Sequence, residues 1–152
     1  MNALIALLAM ALNLDHAELQ QESTADGFAS HRLIAYVLSD ETQKTSIEEM
    51  ARKWEWEISD RDILMVNLGD IEIDTEHSFK LSTEEKQLWR QLWQLDLEES
   101  RFILVGKDGG PKAFQRNELS WQLFFDLIDE MPLRKAEMEA TYRAAQKARK
   151  DS

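Results

Sequence analysis

Three stretches of the chain are nearly unbroken apolar runs: Leu33-Ile34-Ala35-Tyr36-Val37-Leu38, Ile63-Leu64-Met65-Val66-Asn67-Leu68 and Arg101-Phe102-Ile103-Leu104-Val105-Gly106. A strand covered on one face alternates apolar and polar residues, so runs without alternation predict strands buried on both faces. Between the first two runs, Ile47, Met50, Ala51 and Trp54 recur at helical spacing, and Ser46 with Glu49 predicts a capping box at the start of that helix. Strand, helix and strand form a βαβ unit with a right-handed crossover. Past Gly69 the pattern becomes strict alternation, with Asp70, Glu72, Asp74 and Glu76 outward and Ile71, Ile73 and Thr75 inward. That predicts an edge strand or extended arm with one solvated face. Ser82-Thr83-Glu84-Glu85 caps the next helix, on which Leu88, Trp89, Leu92 and Trp93 share a face. The third run passes through Lys107-Asp108-Gly109-Gly110 into Lys112-Ala113-Phe114-Gln115, a hairpin. Trp121, Phe124, Phe125 and Ile128 then line a helix that stops near Met131-Pro132. A last helix, from Leu133 to about Lys150, is rich in Ala, Arg and Lys, with only Leu133, Met138 and Tyr142 as large apolar positions.

This order specifies the fold class: α/β, a thioredoxin-like mixed sheet (β-α-β, α, β-hairpin, α) with an extra C-terminal helix. An open parallel sheet of flavodoxin type needs a helix where the Lys107 hairpin sits, and the hairpin decides between them. The expected organisation is an apolar segment at 1–19, a polar linker at 20–30, the sheet domain at 31–132 and the final helix at 133–152.

Residues 3–14 are almost wholly apolar. The run is too short to span a membrane and has the length of a signal-peptide core, with Ala9-Met10-Ala11 as a small-x-small cleavage site. The residues before it carry no Lys or Arg, unlike a typical export signal. A degenerate export signal is the favoured reading, placing the chain in the periplasm or outside the cell. The alternative is a retained N-terminal helix on a cytoplasmic protein.

Of 152 residues, 43% are hydrophobic and 31% charged, a globular composition. The net charge of -11 repels phosphate backbones and anionic membranes, so nucleic acid is not an expected partner and only the last helix offers a basic patch. The chain has no cysteine, which excludes disulfides, thiolate metal sites and every thiol nucleophile. Its three histidines, His16, His31 and His77, do not suggest a zinc site, because two sit in the N-terminal stretch.

The segment from Arg101 to Gly110 with Lys112, then Phe124-Phe125-Asp126-Leu127-Ile128-Asp129, Met131-Pro132-Leu133-Arg134 and Glu137-Met138, resembles the domain-of-unknown-function 4174 family. The resemblance runs from about His31 to Ala140 and is strongest in its last third. Pro111 in the hairpin and Leu133 after the Met-Pro pair depart from the usual family residues. Membership implies a thioredoxin-like fold, mainly bacterial occurrence and frequent export, but no reaction. Thioredoxin-like enzymes carry Cys-x-x-Cys after the first strand and a cis-proline before the third. Here those places hold Ser39-Asp40-Glu41-Thr42-Gln43-Lys44-Thr45-Ser46 and Glu98-Glu99-Ser100. Thiol redox catalysis is therefore excluded, and no cofactor is implied.

The candidate binding residues are Lys107, Asp108, Gly109, Gly110 and Arg134. Glycine amides with Lys107 could meet an anion, although a hairpin turn needs the same residues for their backbone freedom. Arg134 could grip a partner's carboxylate, or pair with Asp129 or Glu130 while Pro132 starts the last helix. The acidic row ending at His77 offers oxygen ligands, but alternate strand residues do not converge on a metal. Of the five tryptophans, Trp56 breaks the helical period of Trp54 and is the one expected at the surface. The expected function is a non-catalytic binding or adaptor module for an unknown protein partner, with no stable membrane span. That partner would use the sheet edge, the loop at 40–46 or the Arg134 corner. The alternative is a non-thiol enzyme using carboxylates with Lys107 or Arg134.

Overall fold

The computed structural model describes residues 30–152, so the apolar segment at 1–19 and nearly all of the linker at 20–30 lie outside the described residues. The chain divides into two compact units between Leu119 and Ser120.

The first unit is built on a five-stranded mixed sheet. Its elements are β1 (Arg32–Val37), α1 (Thr42–Lys53), α2 (Glu55–Asp60), β2 (Ile63–Asn67), β3 (Ser78–Phe79), α3 (Thr83–Leu92), β4 (Arg101–Val105) and β5 (Pro111–Arg116). The strands lie in the order β3-β2-β1-β4-β5. β1 and β2 are parallel, β4 runs antiparallel to β1, and β5 runs antiparallel to β4. The parallel pair requires a crossover, which α1 and α2 supply. The central strands have no solvent-facing side. Leu33, Ala35 and Val37 join Val66, Leu68, Ile103 and Val105 in one cluster with Leu81 and Trp89, while Ile34, Tyr36, Met65, Phe102 and Leu104 are buried as well. This is why their sequences do not alternate. The Ser82–Glu85 capping box forms as expected: Glu85 N–H donates to Ser82 Oγ (3.2 Å), and Ser82 N–H donates to the Glu85 carboxylate (3.0 Å).

Three expectations are revised, each for a local reason. The Ser46–Glu49 box does not form, because α1 already begins at Thr42. There Asp40 Oδ1 accepts the Thr42 N–H at 2.9 Å, so the first free amide is satisfied four residues upstream of Ser46. The segment 40–46 is thus largely helix rather than a loop. The acidic row is not a strand either. Residues 70–77 are irregular and pairing resumes only at β3, where Ser78 lies opposite Met65. The amides that would build a ladder are taken by side chains instead: Ile73 N–H donates to Tyr36 Oη (2.9 Å) and Asp74 N–H to Glu48 (2.7 Å). Ile73 is fully buried, as its inward place in the alternation requires. The helical run through Trp54 also breaks, since that residue leaves helical geometry (φ -96°, ψ 17°) and α2 restarts after it.

The second unit is a pair of helices, α4 (Trp121–Asp129) and α5 (Pro132–Lys150). Ser120 caps α4 by accepting the Leu123 N–H at 3.3 Å. Pro132 occupies the first turn of α5, where its missing N–H costs nothing. Among the described residues, no helix is long and apolar enough to cross a membrane.

Candidate functional site

The hairpin turn between β4 and β5 closes on itself. Gly109 adopts φ 82°, a left-handed geometry that glycine reaches without strain, and donates its N–H to Gly106 O at 2.9 Å. Gly106 N–H in turn donates to Gly110 O (2.9 Å), and Gly110 N–H donates to Asp108 Oδ1 (3.0 Å). The glycine amides that might have cradled an anion are therefore already in use. Lys112 Nζ lies 2.7 Å from Asp108 Oδ2. Its ammonium, and then the Gly110 amide, hold the Asp108 carboxyl below the ordinary carboxylate range. Lys107 points to Asp62, Nζ to Oδ2 at 2.8 Å, and its side chain is mostly buried. Arg134, in the second unit, donates from Nε to Asp129 Oδ1 at 3.2 Å with a side chain only 6% exposed. The two cations singled out in the sequence are thus engaged by carboxylates of their own chain.

A second polar cluster stands where β1 ends and β4 begins. Ser39 N–H donates to Ser100 Oγ (3.0 Å), the two serine hydroxyls lie 3.0 Å apart, and Ser100 Oγ donates to Gln43 Oε1. Gln43 Nε2 continues the chain to the Asn117 carbonyl. Because the Ser100 proton goes to Gln43, Ser39 Oγ is the donor between the two hydroxyls. The buried Ser100 thereby ties the start of α1 to the starts and ends of three strands' connections.

A cleft of about 350 Å³ lies at the α1–α2 junction. Ala51, Arg52 and Glu55 line one wall, and Asp74, Thr75, Glu76 and His77 the other. Glu55 and Glu76 meet carboxyl to carboxyl in the cleft, where a hydrogen bond between them forms when Glu55 is protonated. That bond, and then repulsion by the Glu76 charge, raises the Glu55 pKa above the usual glutamate value. His77 Nε2 is buried with no hydrogen-bond partner. Burial lowers the His77 pKa, with Glu76 acting in the opposite direction. The backbone fixes the residue in place: its N–H donates to Thr75 Oγ1 (3.0 Å) and its carbonyl accepts the Met65 N–H (2.8 Å). A glutamate of raised pKa beside a histidine of lowered pKa can exchange protons in mildly acidic conditions. Trp56, next to Glu55 on α2, is 69% exposed, as expected from its break in the helical period.

The sign of the pH response follows from these shifts. A carboxyl whose folded pKa is raised contributes stability at low pH and loses it as pH rises through that folded value. Glu55→Gln is therefore expected to raise the urea midpoint relative to the parent near neutral pH, with the gain vanishing toward about pH 4. His77 has the opposite sign. Its lowered folded pKa withdraws stability as pH falls from about 6.5, and His77→Gln is expected to flatten that limb. A pH-independent offset in both variants would contradict the arrangement.

A family model described as a domain of unknown function, DUF4174, matches residues 27–137. The chain belongs to the DUF4174 family. No curated protein matches it. The DUF4174 region takes in all five strands, the serine cluster, the cleft and the Arg134–Asp129 pair, and ends at Glu137 on α5. Several residues of these two clusters were not legible as a group in the sequence. Ser39 and Ser100, or Glu55 and Glu76, are far apart along the chain, and with 29 acidic residues no carboxylate pair stands out. The available signals were Ser100 directly before a buried strand and His77 at the end of the acidic row.

Proposed function

We propose that this DUF4174 chain is a non-catalytic, thioredoxin-like binding or adaptor module associated with the cell envelope. The observation that carries the reading is the serine cluster. In the thioredoxin-like order, the end of the first strand and the start of the hairpin's first strand hold the reactive groups. The corresponding Ser39, Gln43 and Ser100 are hydrogen-bonded to one another and onward to Asn117. The β2-β1-β4-β5 core, with α4 following β5, supports the thioredoxin-like assignment. The apolar run at 3–14 and the polar stretch after it support the envelope location. Of the three contact surfaces considered, the sheet edge fits best. The segment at 40–46 is mostly helix and Arg134 is buried, whereas β5 is the last strand of the sheet and its Phe114 is 56% exposed. An edge strand can take an extended segment by backbone pairing. The test places a photo-crosslinking amino acid at Phe114 in native cells, with a control at Lys44 on α1. One discrete protein adduct from position 114 alone supports the module, and equal labelling from both positions rejects the edge.

A second reading is a non-thiol enzyme, favoured by the meeting of Glu55 and Glu76 beside His77 in one cleft, which raises the Glu55 pKa. In that reading Glu55 carries the proton, rather than Lys107 or Arg134 acting as catalytic cations. Incubating the purified chain with a small-molecule extract of its own cells separates the two. Depletion of a compound by the parent but not by Glu55→Gln would establish catalysis, and an unchanged extract would leave the binding module as the function.

A further inference from the structure

Charge is unevenly distributed along this chain. Of its 29 acidic residues only Asp151 lies beyond Glu139, whereas four of its 18 basic residues do: Arg143, Lys147, Arg149 and Lys150. These four sit on the last turns of α5, and every residue from Met138 to Ser152 is exposed. The family match ends at Glu137, so this half-helix extends past the conserved domain model. Arg143, Lys147 and Lys150 are spaced i, i+4 and i+7, which aligns them in one stripe about 10 Å long. Among the described residues, the exposed Glu139–Arg143 pair engages that stripe, and such surface pairs contribute little. A short helix without tertiary support is marginal in water, so a docked state would stabilise it.

The opposite charge is concentrated in the first unit. No Lys or Arg occurs from Asp62 to Phe79, while Asp70, Glu72, Asp74 and Glu76 recur at every second position. This segment is irregular, with Asp70, Asp74 and Glu76 exposed and Glu72 met only by Lys80 at 3.8 Å.

We propose that the basic half of α5 docks on the acidic 70–76 segment of a second copy of this chain, reciprocally, in a two-fold dimer. A second copy is favoured over other anionic partners on two grounds. Each copy supplies one cationic stripe and one anionic row, so both contacts form at once and the assembly closes. A nucleic acid or anionic bilayer, by contrast, would complement only the cationic stripe and leave the anionic row unmatched, and Met138 with Tyr142 is too small an apolar face for membrane insertion. This inference is independent of the binding-module reading, since neither β5 nor the serine cluster takes part.

Sedimentation velocity on the full chain tests it. At about 0.01 M salt, where the Debye length is about 30 Å, a dimer is expected, and at about 1 M salt a monomer. The triple variant R143E/K147E/K150E is expected to be monomeric at low salt, and so is D70K/D74K/E76K. An equimolar mixture of the two is expected to regain the dimer, because each then carries what the other lacks. Circular dichroism on both variants verifies that the fold is retained, and only the mixture distinguishes docking from a general loss of structure. A parent chain that is monomeric at low salt overturns the proposal. So does a dimer indifferent to both reversals, or a monomer that instead binds an oligonucleotide or anionic vesicle through α5.

Discussion

Trp89→Ala is expected to destabilise the chain by about 3–5 kcal/mol. Trp89 is the only α3 residue classed as buried, 3% exposed, and it packs into the cluster formed by Leu33, Ala35, Val37, Val66, Ile103 and Val105. Those are the inward residues of three adjacent strands, so the indole covers the middle of one sheet face. Truncation removes the transfer free energy of a large side chain and leaves a cavity that strands held in register cannot collapse to fill. It also removes the edge-to-face contact with Trp93, whose ring centroid lies 5.6 Å away at 78°. Against a typical domain stability of about 5–15 kcal/mol, the loss is a large fraction of the total. Urea unfolding followed by circular dichroism gives the measurement, with a lower midpoint and an unchanged slope as the expected result. Trp93→Ala is the comparison, since Trp93 is only half-buried and its loss should cost less. Equal effects from the two substitutions would mean that Trp89 does not anchor α3.

The parts of the fold readable in the sequence are those whose signal is local and repeated. The apolar runs at Leu33, Ile63 and Arg101 are the three central strands because burial on both faces removes alternation. The Ser82 box and the Gly109 turn are equally local, each fixed by neighbours within three or four residues. The acidic row misleads because alternation reports which side chains point inward, not where the backbone amides bond. Ile73 is buried as the pattern requires, yet its N–H is taken by Tyr36, far away in the chain. The start of α1 misleads in the same way, since Ser46 with Glu49 suits a capping box while the helix already begins at Thr42, whose N–H is taken by Asp40. The candidate sites are less legible still. Lys107 and Arg134 attract notice as cations beside sharp turns, but their pairing with Asp62 and Asp129 shows only once the chain is folded. Glu55 and Glu76 gain their interest only from being brought together across the cleft.

The hydrogen bond from Ile73 to Tyr36 links that cleft to the core, and Tyr36→Phe isolates it. The phenol is 1% exposed near the end of β1, the middle strand of the sheet, and its Oη accepts the Ile73 N–H at 2.9 Å. Burial raises the Tyr36 pKa well above its usual value, so the hydroxyl stays neutral across the working range. Phenylalanine keeps the ring and its packing but removes the acceptor, leaving the amide of a fully buried isoleucine unpaired. The expected cost is about 1–3 kcal/mol, the desolvation penalty of one orphaned donor. The effect should not spread evenly. Residues 70–77 have no strand ladder and are held by this bond, by Asp74 N–H on Glu48 and by the Thr75–Ser78 pair, so amide exchange should accelerate there before it does in β1, β2 or β4. Because the same segment carries Glu76 and His77, loosening it separates Glu76 from Glu55. The Glu55 pKa should then fall back toward the ordinary glutamate value, which carboxyl chemical shifts across a pH titration would report. Faster exchange confined to 70–77 together with a lowered Glu55 pKa would show that the core tyrosine sets the geometry of the cleft. A uniform loss of protection with Glu55 unmoved would show that the cleft holds its carboxyl pair without help from Tyr36.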